Sequence, residues 1–269
     1  MEADMGVIGG SGFYSMVEKP SLFSDANLYG KPSESIAIGD LSGKRVAFLA
    51  RHSKEHTIPP HKVNYRANIE AMNSLGVQRI IATNAVGSLR EDYAPGELVL
   101  FDQFVNMTHG RHDTFFDEDY VVHVSSAEPY CSQMRSIAAS TADRMGIRYH
   151  KSGTVVVVNG PRFSTKAESR HYKAQGFDVI NMTQYPEAIL ARERRICYLG
   201  IGVITDYDAG IEGREDVKNV SGKDVEEIFS RSISTVKELV SNIIKETPEN
   251  RECSCASALD HAVMTKKQK

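Results

Sequence analysis

The chain carries almost no surplus of charge: 32 Lys and Arg face 35 Asp and Glu, a net charge of −3. A protein that grips nucleic acid mainly through backbone phosphates needs a basic excess, so the balance argues against that class. No block of like charge is long enough to serve as an interaction tail. No apolar run approaches the roughly 18 residues that mark a membrane-spanning helix. The opening MEADMGVIGGSG is acidic, and its apolar stretch breaks at Gly9-Gly10, which is not the pattern of a secretory leader. Cysteine is sparse: Cys131, Cys197, Cys253 and Cys255. Cys131 and Cys197 stand in apolar contexts and read as reduced core thiols, so a cytoplasmic enzyme is expected. Histidines are scattered and the cysteines lie apart in sequence. No metal cluster is therefore expected, and a lone C-x-C without a second pair nearby does not complete a tetrahedral zinc site.

What is present is a chain of 269 residues, 41% apolar, enough for a full core in one large α/β domain or two small ones. Met5–Ile8 is a short apolar run entering Gly9-Gly10-Ser11-Gly12, a strand into a glycine turn. Ser35–Ile38 and Arg45–Leu49 read as strands paired around Gly39–Gly43. Further strands are expected at Val77–Ala85, Glu97–Phe104, Thr154–Val158, from Val179, and at Cys197–Thr205. Helical spacing marks Tyr65–Leu75, Pro129–Met145, Thr165–Gln175, Tyr185–Arg195 and a long amphipathic Gly222–Lys245. Strands and helices alternate without internal repeats, the pattern of one α/β domain around a mostly parallel sheet. The charged loop Asp206–Ser221 reads either as a solvated connection or as a lid.

Chemistry-bearing residues cluster where strands end. Gly9-Gly10-Ser11-Gly12 is not a dinucleotide fingerprint, because position 15 is Ser15 where the third glycine should stand. The turn still offers backbone N–H groups and a hydroxyl to an anion. Arg51-His52 follows a strand directly, which places a guanidinium near the usual ligand crevice. A surface salt bridge is the plainer reading of that arginine alone. Asn84-Ala85-Val86-Gly87-Ser88, Gly160-Pro161-Arg162-Phe163, Asn181-Met182-Thr183 and Thr205-Asp206-Tyr207-Asp208 also follow strands. Each is a plausible loop on its own, but together they form the rim on which α/β enzymes build sites.

The runs GGSGFY, RHSKEHTIPPHKVNYRANI, NAVGSLRED, AEPYC, GPRFSTKAES, DVINMTQYPEA and TDYDAG occur in one order across residues 5–245. They resemble the 5′-methylthioadenosine phosphorylases of the trimeric purine nucleoside phosphorylase family. The resemblance implies a single α/β domain, a mixed β-sheet sandwiched by helices, in place of a plain parallel sheet. It implies a catalytic domain at residues 1–245 and a C-terminal tail at 246–269. It implies phosphorolysis of a purine nucleoside: 5′-methylthioadenosine would give adenine and 5-methylthioribose 1-phosphate. Phosphate would be a substrate, with no other cofactor.

The same resemblance assigns Ser11, Arg51, His52, Ala85 and Thr183 to phosphate. It assigns Phe163, Ile180, Asn181 and Met182 to base and ribose, and Asp206 and Asp208 to the purine edge, with Asp206 as the catalytic acid. His123 matches a residue lent by a neighbouring subunit, implying a homotrimer or a dimer of trimers with neither nucleic acid nor membrane as partner. Ser164 and Asp206 stand where 6-oxopurine enzymes of the family carry glutamate and asparagine, which favours a 6-aminopurine. Gly222, Val225 and Glu226 align with the 5′ pocket; Glu226 either makes it polar or faces solvent. A 6-oxopurine nucleoside phosphorylase, a hydrolytic nucleosidase and a non-catalytic nucleoside-binding protein are the alternatives. For the tail, Cys253-Ser254-Cys255 reads either as two exposed thiols on a mobile segment or, by resemblance to archaeal relatives, as a strained disulfide held by a docked segment at Ala258–Met264.

Overall fold

The structure, a computed structural model, describes residues 2–265 apart from residues 18, 119, 212–216, 218 and 219. Seven of the sixteen residues of the expected lid, including Asn219, lie outside the described residues. One eleven-stranded sheet runs through the molecule. Its strands are β1 (Met5–Gly9), β2 (Ser21–Phe23), β3 (Ile36–Leu41), β4 (Lys44–Ala50), β5 (Arg79–Ser88), β6 (Leu98–Leu100), β7 (Gln103–Met107), β8 (Tyr149–His150), β9 (Thr154–Val158), β10 (Val179–Asn181) and β11 (Cys197–Asp206). The helices are α1 (Tyr65–Ser74), α2 (Ser132–Met145), α3 (Lys166–Ala174), α4 (Gln184–Glu193) and α5 (Gly222–Glu246). Among the described residues no helix is long and apolar enough to cross a membrane.

The sheet is mixed. β4, β1, β5 and β11 run parallel, β3 joins β4 antiparallel, and β10 meets the end of β5 antiparallel while lying parallel to β9. The β3–β4 hairpin turns through Ser42 (φ 53) and Gly43 (φ 80), two left-handed residues whose twist matches that of paired strands. β9, a threonine followed by valines, lies between β7 and β10, and its central three residues are fully buried. Apolar residues of α1 and α4 pack one core on one face, and those of α2 and α5 pack a second core on the other. The side chain of Thr165 caps α3 from its N-terminus and receives the backbone N–H of Glu168, whose carboxylate answers to Thr165. The Ser221 hydroxyl caps α5 by accepting from Asp224.

Two expectations need correction. The apolar stretch Glu97–Phe104 is not one strand: β6 pairs with β11, and β7 pairs with β9. Phe101 and Asp102 make the jump. Phe101 fills the space left by Gly200 and Gly202, where an added Cβ would fall 2.5 and 2.8 Å from its ring. Asp102 accepts a hydrogen bond from the Gly153 N–H at 3.0 Å. The tail is also not a loose end. Arg79 donates to the carbonyls of Glu249 (3.0 Å) and Asn250 (2.9 Å), Arg251 to that of Arg195 (2.8 Å), and Val263 bridges to Val122. Its first structured piece is a 3₁₀ turn at Ser254–Ser257, and Cys255 is buried at 5% exposure.

Candidate active site

β5 is the strand that positions the site. Its first half lies beside β1, its last two residues lie beside β10, and β11 follows it along the other edge. The sheet therefore forks at the C-terminal end of β5, and such forks are where α/β sheets hold ligands. The parallel strands β1, β4, β5 and β11 all end on this side. β10 arrives from the opposite direction, so Asn181-Met182-Thr183 folds back over the end of β5: the Thr183 hydroxyl donates to Asn84 Oδ1 at 2.8 Å. Gly87 lets this happen. A Cβ there would lie 2.9 Å from Asp206 Oδ1, 3.1 Å from Ile180 Cγ2 and 3.2 Å from Asp208 Cβ.

On the β1–β4 side, the Arg51 N–H donates to the Gly9 carbonyl at 3.0 Å, which sets the arginine beside the glycine turn. Ser11 opens the 3₁₀ turn Ser11–Met16 that follows; its side chain lies outside the described part of the structure. Arg51 is not the surface ion pair of the plainer reading. Its side chain is 3% exposed, and its Nε and Nη2 donate to both oxygens of the fully buried Glu187 at 2.6 and 2.7 Å. Burial alone would push the Arg51 pKa down; the charge and hydrogen bonds of Glu187 outweigh it and raise it above the ordinary value. Nη1 donates to the Thr83 carbonyl at 3.2 Å and keeps one further N–H. Glu187 was given no role by sequence reasoning, although it lies in the run QYPEA. Its burial against a strand-end arginine could not be read from helical spacing. It also accepts from Tyr198 at 2.7 Å, and Tyr198, Gln184 and Tyr130 continue the buried network.

His52 is a neutral ring. Burial, then the Arg51 charge, lower its pKa to about 4. Its Nδ1 lies 2.8 Å from the Ile58 carbonyl and so carries the proton, leaving Nε2 as an acceptor. Ala85, next to Asn84 on β5, is half-buried.

On the β11 side, Asp206 and Asp208 stand together. Asp206 Oδ1 accepts the backbone N–H of Asp208 at 2.7 Å, and Oδ2 accepts the Thr205 hydroxyl at 2.7 Å. Burial, with a smaller push from the Asp208 charge, raises the Asp206 pKa to about 6 despite those two bonds. Asp208 is 3% exposed and adopts φ 47; burial raises its pKa too, against hydrogen bonds from Ser169 and Ser164. Its Oδ2 is buried without a hydrogen-bond partner, as are Thr83 Oγ1 and Asn181 Nδ2. Orphan polar atoms of this kind are scarce in folded proteins, and these three belong to, or directly follow, strands that meet at the fork in the sheet.

Ile180 and Asn181, each 6% exposed, and half-buried Met182 end β10. Phe163 is 40% exposed, an aromatic face open to solvent beside the fork-facing loop. His123 is exposed, and its segment pairs with the tail: its N–H donates to the Ala262 carbonyl at 2.8 Å. At the start of α5, Glu226 is exposed and Val225 half-buried, while the Phe229 ring reaches within 4.0 Å of a Cβ built on Gly10.

The expectation that the cysteines are too scattered to form a cluster is overturned. Cys131, Cys197, Cys253 and Cys255 have all their sulfurs within 4.8 Å of one another. The second pair is supplied by the fold and not by the neighbouring sequence, a relation that spacing in the chain does not reveal.

The profile of the phosphorylase superfamily matches residues 4–245. The S-methyl-5′-thioadenosine phosphorylase of Thermofilum pendens is 47% identical over 262 residues, 97% of this chain and 98% of that one. The enzyme of the same name from Pyrococcus abyssi is 45% identical over 95% of this chain and 97% of its own. Among solved structures, a methylthioadenosine phosphorylase from Schistosoma mansoni in complex with adenine superposes with a TM-score of 0.90 at 34% identity, covering 97% of this chain and 99% of that one. With the expected mixed sheet observed and the matches spanning nearly the whole length, the chain belongs to the phosphorylase superfamily and, within it, to the methylthioadenosine phosphorylases.

Proposed function

We propose that this chain cleaves the N-glycosidic bond of 5′-methylthioadenosine with inorganic phosphate, giving adenine and 5-methylthioribose 1-phosphate. The observation that carries the reading is the carboxyl pair at the end of β11. Asp206 has its pKa raised to about 6, and the buried Oδ2 of Asp208 has no partner. Cleavage leaves negative charge on the purine and positive charge on C1′ of the sugar. A carboxylic acid with a pKa near neutrality can hold a proton for N7 of the leaving base. The unpartnered Asp208 oxygen accepts from a 6-amino group; a 6-oxo group would set acceptor against acceptor.

Phosphate would lie on the other side of the fork, held by Ser11, Arg51, His52, the backbone at Ala85 and Thr183. Its negative charge would stabilise the oxocarbenium-like C1′ before bonding to it. Because Glu187 neutralises Arg51, the anion is held by several donors, with His52 Nε2 able to accept a hydrogen bond from a protonated phosphate oxygen. Phe163, Ile180, Asn181 and Met182 would enclose base and ribose. Glu226 in solvent, with the Phe229 ring toward the glycine turn, supports an apolar 5′ group. The names of the relatives support the same substrate.

The reading includes a cytoplasmic homotrimer or dimer of trimers in which His123 completes a neighbour's site. Exposed Met107, Val121, Val263 and Met264 support a covering subunit. Ultraviolet assays of methylthioadenosine, adenosine, inosine and guanosine test the reading. Methylthioadenosine is expected to be consumed fastest, and a preference for inosine would overturn the base assignment.

A further inference from the structure

The four cysteines take no part in the chemistry above, yet they come from three separate places in the chain. Cys131 directly precedes α2, and its N–H donates to the Tyr198 carbonyl at 2.9 Å, which draws it to the start of β11. Cys197 is the first residue of β11. Cys253 and Cys255 descend from the tail, fastened by the Arg79 and Arg251 bonds and by the Glu252 N–H on Gln133 Oε1 at 3.2 Å. Cys131, Cys197 and Cys255 are 2%, 0% and 5% exposed, and Cys253 is half-buried.

The geometry points to a structural metal site: we propose that Cys131, Cys197, Cys253 and Cys255 bind one thiophilic divalent cation of the zinc class, tetrahedrally, as four thiolates. In such a site, bonds of about 2.3 Å hold the sulfurs about 3.8 Å apart. Here all of the sulfur–sulfur distances lie within 4.8 Å, and Cys197 to Cys253 is 3.3 Å. These values bracket the tetrahedral edge, so closing on an ion needs movements of less than ~1 Å. Two disulfides would need close approach only within each pair, at about 2.0 Å, and would give no reason for all four sulfurs to converge.

Loading releases four protons as four thiols become thiolates on one dication, leaving a charge of −2 on the centre. Arg79 is the register partner of Cys197, and its guanidinium binds the same tail. Its buried Nε has no hydrogen-bond partner.

The consequence is mechanical. The site would clamp the start of the tail to β11 and α2, and the far end of the same tail pairs with Val122 and His123. The metal would therefore fix the segment that carries the residue offered to a neighbouring subunit.

The test is to purify the full chain anaerobically and measure bound metal by plasma mass spectrometry. Replacement with Co2+ then allows absorption spectroscopy, and thiols are counted in denaturant with chelator. One zinc per chain, four titratable thiols, and thiolate-to-cobalt charge-transfer with tetrahedral d–d bands are expected. Cys255→Ser should weaken the affinity at least ~10-fold. The wild-type measurements stand even if that variant fails to fold. Metal-free protein with four free thiols after incubation with Zn2+ would overturn the proposal, as would an intact mass four hydrogens lighter from two disulfides. Metal content is independent of turnover, so the result separates from that of the proposed reaction.

Discussion

Replacing Asp206 by Asn removes the proton that the proposed mechanism requires and keeps the shape of the side chain. The two effects have different signs. In the folded chain the carboxyl titrates at about 6 against an ordinary 3.8, chiefly because it is buried. A raised folded pKa favours the fold at pH below the unfolded value, and that advantage disappears as pH rises through the folded value. At about 1.36 kcal/mol per tenfold change in proton affinity, the gap amounts to about 3 kcal/mol as an upper figure, carried as a penalty above pH ~7. The amide does not ionise. The stability of Asp206→Asn relative to the parent should therefore rise by up to about 3 kcal/mol between pH 4 and pH 8. Urea unfolding at fixed protein concentration, followed by circular dichroism, reads this directly. Activity should move the other way. Loss of a general acid costs about 10²–10⁴-fold, and it should fall on methylthioadenosine and adenosine far more than on inosine, whose 6-oxo group and N7 an amide can serve. A pH-independent stability difference would refute the buried-carboxyl argument. Equal losses on both nucleoside classes would refute the role of Asp206 as the acid for a 6-aminopurine.

Glu187→Gln should leave the buried Arg51 charge uncompensated and lower stability by about 3–5 kcal/mol. Phosphate then becomes the available counter-charge, so it should raise the melting temperature more in the variant than in the parent; equal increments would show that phosphate does not reach Arg51. Mixed oligomers of His123→Ala and Asp206→Ala, each inactive alone, should regain part of the parental rate because the lesions fall in different composite sites. No recovery after verified subunit exchange would place every site within one chain.

The strand ends were legible in the sequence because an apolar run that stops at glycine, asparagine or aspartate marks both a buried strand and the exposed rim that follows it. That logic placed Arg51, Asn84, Asn181 and Asp206 on one edge of the sheet, and the structure brings all four strand ends to the fork. It failed where a partner is set by tertiary contact. Phe101 and Asp102 look like strand residues, and only the glycines of β11 and the Gly153 N–H explain why the chain changes neighbours there. Glu187 looks like any acidic residue in the first turn of a helix until Arg51 is seen to face it. Cys253 and Cys255 looked isolated because more than a hundred residues separate them from Cys131, a distance the fold reduces to a few ångströms.

The central claim is that phosphate is the nucleophile and the purine edge is read by Asp206 and Asp208. Its most direct measurement is adenine release from methylthioadenosine by the purified protein, with phosphate present and after its exhaustive removal, with the sugar product identified by mass. The account predicts release only with phosphate or arsenate, and 5-methylthioribose 1-phosphate as the product with phosphate. Undiminished release without either anion, yielding free methylthioribose, would contradict it.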